Sequence, residues 1–268
     1  MIRIVFIFVA FFSLLFANEM TLTKAQEEYI AQKVWQNEGA GLDKYLIHWN
    51  DGEDFISLGI GHFIWFSKDH TERFREVFPL VLEYMQKRGI VLPDWLNVQS
   101  DCPWSDKASF MRSKTTQDAT YTRLFDFIDS TRAYQAGYMA DRLQRALPAM
   151  LETIDESDKR ALIEDRFNAI LLNVDGSINE HGLYVLLDYV NFKGEGTLKS
   201  ERYNGEGWGL LQVLEHMDAN SSDRFKAFSD SAKAMLNRRI KNSPKERGES
   251  RWRAGWFKRL DTYILDKQ

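Results

Sequence analysis

Apolar residues recur at a spacing of three to four along most of this chain, the pattern typical of amphipathic helices. The first such segment predicts a helix from about Lys24 to Asn37, with Thr23 as its N-cap. Ile30 and Val34 lie on its apolar stripe, and Glu38 continues the same spacing. A carboxyl group there is costly to ionise, so its pKa should be raised, as a general acid requires. The alternative is a hydrated glutamate at a helix end.

The pattern changes after this helix. The segment Trp49 to Asp54 predicts a turn, with Asp51-Gly52 as its sharpest signal. The segment Phe55 to Gly61 then predicts a short strand. On this strand the Ser57 hydroxyl should share a face with Phe55 and Gly59 and lie toward a cleft. A helix-end acid followed by an acidic hairpin can hold two carboxyl groups across one cleft, as glycoside hydrolysis requires. The alternative is that the hairpin acids only solvate a turn.

The middle of the chain, from Ser67 to Glu180, is predicted to be mainly helical. Breaks are expected at Gly89 to Pro93 and at Ser100 to Pro103. Further on, we expect a glycine-containing loop from Glu195 to Asn204 and a new helix from Gly209 to Met217. The clearest helical periodicity lies in Phe74 to Lys87, Thr120 to Leu147 and Lys159 to Leu172.

The first 17 residues predict a signal peptide. Arg3 provides a basic start, Ile4 to Phe16 is almost wholly apolar, and Ala17 is a small residue at a cleavage position. The apolar run is short for a membrane span, which needs about 20 residues. We therefore expect an exported chain, periplasmic or secreted, with no stable membrane span after signal cleavage. The alternative is an uncleaved anchor.

Composition and charge narrow the function classes. A chain of 268 residues, 44% hydrophobic, can build a sizeable core. The single cysteine, Cys102, excludes an internal disulfide framework and is expected to be buried. His and Cys residues form no cluster with metal-ligand spacing, so we expect no metal and no cofactor.

The segment Lys233 to Arg259 carries ten Lys or Arg and two Glu. It is either a basic face for an anionic polymer or a solvated helix face. Nucleic acid is not expected, because the chain is acidic overall (net charge −4) and exported.

Two separated stretches resemble phage-type lysozymes of the T-even kind. The first, about residues 24 to 66, contains the motifs that resemble the catalytic segment: Glu38-Gly39, Tyr45, Asp51, Ser57 and Gly59-Ile60-Gly61-His62. The second, about residues 183 to 264, is similar to the central helix end and the C-terminal helix pair. The chain departs from the family in a longer spacing between Glu38 and Asp51, and in a serine where the family has threonine.

The resemblance implies a mainly α fold of the α+β class, with a small β-hairpin lobe beside a helical lobe. Residues 18–268 would form one lysozyme-like domain, with 67–180 as a long helical insertion. Glu38 would be the general acid, and Asp51, helped by Ser57, would be the second carboxylate. The longer hairpin also supplies Glu53 as a rival second carboxylate. Residues expected to bind substrate are Gly61, His62 and Asn191.

The implied partner is the glycan strand of peptidoglycan. The implied reaction is acid-catalysed hydrolysis of the β-1,4 bond between N-acetylmuramic acid and N-acetylglucosamine. Two alternatives stay open: a lytic transglycosylase acting on the same bond, and a non-catalytic peptidoglycan-binding protein with this fold.

Overall fold

The computed structural model describes residues 22–39, 41–68 and 76–264, so the expected signal peptide lies outside the described residues. The described chain is mainly helical with a small three-stranded antiparallel sheet near its N-terminus, an α+β protein as predicted. It divides into two compact units, an N-terminal unit of Leu22–Met139 and a C-terminal unit that starts at Ala140. The boundary falls inside the segment 67–180, which was expected to be an elaboration of a single domain.

The first helix confirms the prediction from apolar spacing. Helix α1 spans Lys24–Gly39. Its start is capped reciprocally: the Gln26 amide donates to Thr23 Oγ1 at 3.3 Å, and the Thr23 amide donates to Gln26 Oε1 at 2.9 Å. Ile30 and Val34 are fully buried, so the predicted stripe faces the core of the N-terminal unit.

The sheet has shorter strands than predicted and one additional strand. Its strands β1 (Ile47–His48), β2 (Ile56–Leu58) and β3 (Phe63–Trp65) pair antiparallel in that order, with β2 in the centre. The prediction of one strand from Phe55 to Gly61 was wrong at its end, because Gly59 has φ +71° and turns the chain. The chain then returns as β3, which the sequence analysis did not predict.

Four helices follow the sheet: α2 (Phe78–Lys87), α3 (Lys107–Thr116), α4 (Ala119–Ser130) and α5 (Arg132–Glu152). The predicted breaks are confirmed, since residues 88–106 contain no helix. The predicted segment from Thr120 to Leu147 is divided at Thr131, which separates α4 from α5. Helix α5 belongs to both units, because Met139 ends the first and Ala140 begins the second.

The C-terminal unit is built around one buried helix. Helix α7 (Glu180–Lys193) is buried without interruption from Gly182 to Val190 and ends at Gly194. Its 14 residues make a core helix, and none of the described helices is long and apolar enough to cross a membrane. The other elements are α6 (Ser157–Leu171), β4 (Arg202–Tyr203), β5 (Glu206–Gly207), α8 (Leu210–His216), α9 (Arg224–Asn242) and α10 (Arg253–Asp261). The β4–β5 hairpin was not predicted, whereas the helix restart near Gly209 was.

Candidate functional site

The last turn of α1 carries Glu38. Three residues before it, Trp35 is buried, and the Arg132 guanidinium lies over its ring at 4.9 Å from the centroid. Arg132 also pairs with Asp43, 2.8 Å away, in the segment that follows the helix. The end of α1 is therefore anchored by a cation of α5. The side chain of Glu38 itself lies outside the described residues, so its role and its raised pKa stay predictions.

Asp51 lies at the tip of the turn between β1 and β2. Gly52 has φ +77°, which confirms the predicted turn. The Asp51 side chain is fully exposed, and it pairs with Lys107, whose Nζ lies 2.5 Å from Oδ1. The hydrogen bond and positive charge of Lys107 lower the pKa of Asp51. Asp51 is thus a permanently ionised surface carboxylate, as expected for an acid that solvates a turn.

Glu53, two residues further on, has a different environment. Its Oε2 accepts a hydrogen bond from Asn50 Nδ2 at 2.8 Å, and Asn50 Oδ1 lies 2.6 Å from His48 Nε2. The Trp49 indole donates to the Glu53 carbonyl at 2.8 Å, which fixes the backbone of the turn. Burial raises the pKa of Glu53, although the Asn50 hydrogen bond and Lys107 oppose this. We call Glu53, Asn50 and His48 the hairpin network.

His48 completes the hairpin network as a neutral group. Burial is the main cause that lowers its pKa, and the nearby His62 and Lys114 lower it further. A lowered pKa keeps His48 uncharged at pH 7. Because Asn50 donates to Glu53 through its nitrogen, its oxygen faces His48, which assigns the proton to His48 Nε2. The sequence analysis named neither His48 nor Asn50 as a functional residue. Their only signal was that they are polar positions on either side of the buried Trp49.

Ser57 lies in the centre of the sheet, opposite His48 on β1 and Ile64 on β3. Only 4% of the residue is exposed, and its neighbours Ile56 and Leu58 are also buried. The described structure therefore gives Ser57 a buried side chain, so its expected place at a cleft stays a prediction. Its position next to His48 still places it under the hairpin network.

The glycines after β2 have a packing role. A Cβ at Gly59 would lie 2.2 Å from Gln135 Oε1, and one at Gly61 would lie 2.6 Å from the Phe63 ring. Gln135 is fully buried, and its Oε1 accepts a hydrogen bond from the Ile60 amide at 2.9 Å. The turn must approach helix α5 closely, which explains its glycines without a substrate. His62 lies in the same turn, half-buried, with φ +48°.

The remaining predicted residues fall elsewhere. Asn191 is half-buried near the end of α7, in the C-terminal unit, whereas the other candidates belong to the N-terminal unit. Cys102 is buried as predicted, and burial raises the pKa of its thiol to about 12, so it holds no thiolate at neutral pH. Within residues 22–39, 41–68 and 76–264, no group of three or more His, Cys, Asp or Glu side chains could hold a metal ion.

Comparison with known proteins returns no relative. No protein-family model, no curated protein and no solved structure matches the chain. The resemblance to phage-type lysozymes is carried by short motifs in two separated stretches and stays a prediction. The chemistry of the site has to be argued from its own residues.

Proposed function

We propose that this protein is a peptidoglycan hydrolase that cleaves the β-1,4 bond between N-acetylmuramic acid and N-acetylglucosamine. The observation that carries the proposal is the hairpin network. It holds a half-buried carboxylate of raised pKa on the hairpin that follows the Glu38 helix. Glycoside hydrolysis needs two carboxyl groups on either side of the scissile bond. The sequence resemblance supports the same reaction.

In this proposal Glu38 protonates the leaving oxygen, and Glu53 is the second carboxylate. A general base works best when its pKa lies near the operating pH, which the raised pKa of Glu53 favours. Asp51 is the weaker candidate, because Lys107 lowers its pKa and solvent surrounds it. His48 and Asn50 orient the Glu53 carboxylate, and Ser57 supports them from the sheet below.

The proposal is tested by digesting purified peptidoglycan with the exported chain and identifying the products by mass spectrometry. Glu38→Gln removes the transferable proton and keeps the size of the side chain. We expect it to lower the rate by about 10²-fold or more, the usual contribution of a general acid. Unchanged turnover in this variant would remove Glu38 from the mechanism.

The second carboxylate is assigned by a matched pair of variants on the same turn. We expect Glu53→Gln to lower the rate by about 10²-fold, as for the loss of a general base, and Asp51→Asn to leave it within a few-fold of the wild type. Both substitutions exchange one carboxylate for an amide, so differences in net charge cancel. The reverse ranking would return the role to Asp51.

The type of product separates the open alternatives. Digestion in heavy-oxygen water should place one label at each new reducing N-acetylmuramic acid, since water is the nucleophile. Unlabelled 1,6-anhydro products would mean that the muramyl hydroxyl attacks instead, and that the protein is a lytic transglycosylase. Wall binding without any soluble product would support the non-catalytic alternative.

A further inference from the structure

A cavity of about 410 Å³ lies entirely within the C-terminal unit. Five parts of the chain line it: the loop between α5 and α6, the start of α6, the β4–β5 hairpin, and helices α8 and α9. Its volume lies in the range of roughly 300–1,000 Å³ that is usual for small-molecule sites. No predicted functional residue contributes to it, so the sequence analysis gave it no role.

The walls of the cavity are built from rigid parts. Asn204 and Gly205, with φ +52° and +80°, form a tight two-residue turn between β4 and β5. Gln212 on α8 is buried and donates to the Gly196 carbonyl at 3.1 Å, while it accepts from the Gly209 amide at 3.0 Å. Gln212 thus ties the start of α8 to the loop at Gly196. Arg238 on α9 donates to the Gly207 carbonyl of β5 at 2.9 Å. These hydrogen bonds favour a preformed site.

Two of the cations at the cavity already have carboxylate partners. Lys159 on α6 pairs with Glu215 on α8 at 2.8 Å, and the hydrogen bond and charge of Glu215 raise the pKa of Lys159. Arg238 on α9 pairs through Nη1 with Glu206 on β5 at 2.9 Å. These two ion pairs link α6 to α8 and α9 to β5, and within each pair the opposite charges neutralise each other.

Arg202 on β4 is a cation without such a partner. Its guanidinium donates to the carbonyls of Gly205 and Gly196, at 3.3 Å and 3.2 Å, and lies within ion-pair distance of no carboxylate in the described part of the chain. Carbonyl groups orient a guanidinium but do not neutralise its charge. Arg238 adds a donor, since its Nε is buried and has no acceptor among the described residues. This wall is suited to a carboxylate.

The loop before α6 contributes the opposite charge. Asp155 and Glu156 line the cavity, are exposed, and form no ion pair with any residue that the structure describes. The preceding Ile154 is buried and anchors the loop. Once the internal pairs are set aside, the lining of the cavity keeps one cation, Arg202, and two carboxylates, Asp155 and Glu156, that have no ion-pair partner among the described residues.

We propose that this cavity binds a small zwitterion, a free amino acid or a short linear peptide. Its carboxylate would lie on Arg202, where the guanidinium can donate two hydrogen bonds, and its ammonium group on Asp155 and Glu156. A ligand with both charges complements both the cation and the carboxylates, whereas a simple anion or cation leaves one of them unmatched. This inference does not depend on the proposed activity.

The test is calorimetric titration of the full exported chain with a homologous series: glycine, β-alanine, γ-aminobutyrate, ε-aminocaproate and glycylglycine. The members differ in the distance between the ammonium group and the carboxylate. The member whose distance matches the cavity should therefore bind best. For that member, the matched carboxylic acid without the amine and the matched amine without the acid should each bind about tenfold more weakly or worse.

Variants locate the binding. Arg202→Gln should weaken the best ligand by about tenfold or more, and so should the double variant Asp155→Asn with Glu156→Gln. The double variant changes only exposed side chains, so its effect cannot be attributed to misfolding. Arg251→Gln removes an exposed cation outside the cavity and should change nothing. Binding of no member of the series, or equal binding to wild type and both test variants, would overturn the proposal.

Discussion

At the scale of single residues, burial separates the two hairpin carboxylates, Asp51 and Glu53. Asp51 and Glu53 stand two apart and look equivalent in the sequence. One lies in solvent beside Lys107, and the other accepts a hydrogen bond from Asn50 in a half-buried position. The resemblance favoured Asp51 by its position in the motif. It could not favour Glu53, because the environment of Glu53 depends on how the turn folds back over His48.

Burial also decides the chemistry of Cys102. Its amide donates to the Phe66 carbonyl at 2.8 Å, and its thiol has a pKa raised by burial to about 12. Since the thiolate is the reactive form, a folded chain at pH 8 should hold about 10³-fold less of it than an exposed cysteine does. We expect an aromatic disulfide reagent to label the folded protein very slowly and the urea-unfolded protein at once. Equal rates would show that Cys102 is accessible.

At the scale of elements, the helices could be predicted, but of the strands only β2 was predicted with a range, and that range was too long. Helix α1 was predicted from a cap at Thr23 and a regular apolar stripe, both of which are local sequence signals. Strands β1 to β3 have two or three residues each, too few for an alternating pattern to be recognised. Ser57 illustrates the consequence. Its burial depends on a partner strand, β3, whose existence follows from the left-handed turn at Gly59.

Helices α7 and α10 are joined by a buried ion pair whose loss should be costly. Asp188 is fully buried and accepts two hydrogen bonds from Arg259, at 2.8 Å and 2.7 Å, and a third from the Tyr263 hydroxyl at 2.5 Å. Asp188→Ala leaves the Arg259 charge without its partner in the core. We expect it to lower the free energy of unfolding by about 3–5 kcal/mol, as is usual for breaking a buried pair.

The controls for Asp188→Ala are milder changes at the same carboxylate and at a neighbouring ion pair between α9 and α10. Tyr263→Phe removes one hydrogen bond to the carboxylate and should cost about 1.5–3 kcal/mol. Lys233→Gln removes a pair with the mostly exposed Asp261 and should cost less than about 1 kcal/mol. Urea unfolding followed by circular dichroism measures all three. If Asp188→Ala costs no more than Lys233→Gln, the buried pair does not hold α7 to α10.

At the scale of the whole molecule, the basic segment Lys233 to Arg259 is used largely for folding. At least five of its ten cations pair with carboxylates of the C-terminal unit. The sequence analysis left open a basic face for an anionic polymer and a solvated helix face. For these five residues the charge is balanced by a carboxylate of the same unit, while the choice between the two alternatives stays open for the segment as a whole. The residues with internal partners are Lys233, Arg238, Arg239, Arg247 and Arg259.

These internal pairs make the stability of the protein depend on pH, and Glu249 is the clearest case. Its side chain is fully buried, and it accepts hydrogen bonds from Arg239 at 2.7 Å and 3.0 Å, from Arg247 at 3.1 Å and from Tyr203 at 2.9 Å. Burial alone would raise the pKa of Glu249, but the hydrogen bonds and charges of these partners outweigh it and leave the pKa lowered.

A carboxylate whose pKa is lower in the folded than in the unfolded state stabilises the fold above its unfolded pKa, about 4.3 for glutamate. That stabilisation is lost as the pH falls through the folded pKa. Glu249→Gln should therefore cost about 3–5 kcal/mol at pH 7 and progressively less as the pH falls below about 4.3, because the unfolded wild type then takes up a proton that the folded protein resists. Urea unfolding of both proteins at pH 7, 5 and 3 measures the gap between their free energies of unfolding.

Glu246→Gln, at an exposed neighbouring position, is the control and should leave the free energy of unfolding unchanged within about 0.5 kcal/mol. A gap that stays constant from pH 7 to pH 3 would mean that Glu249 contributes through its shape and hydrogen bonds, and that its charge contributes nothing.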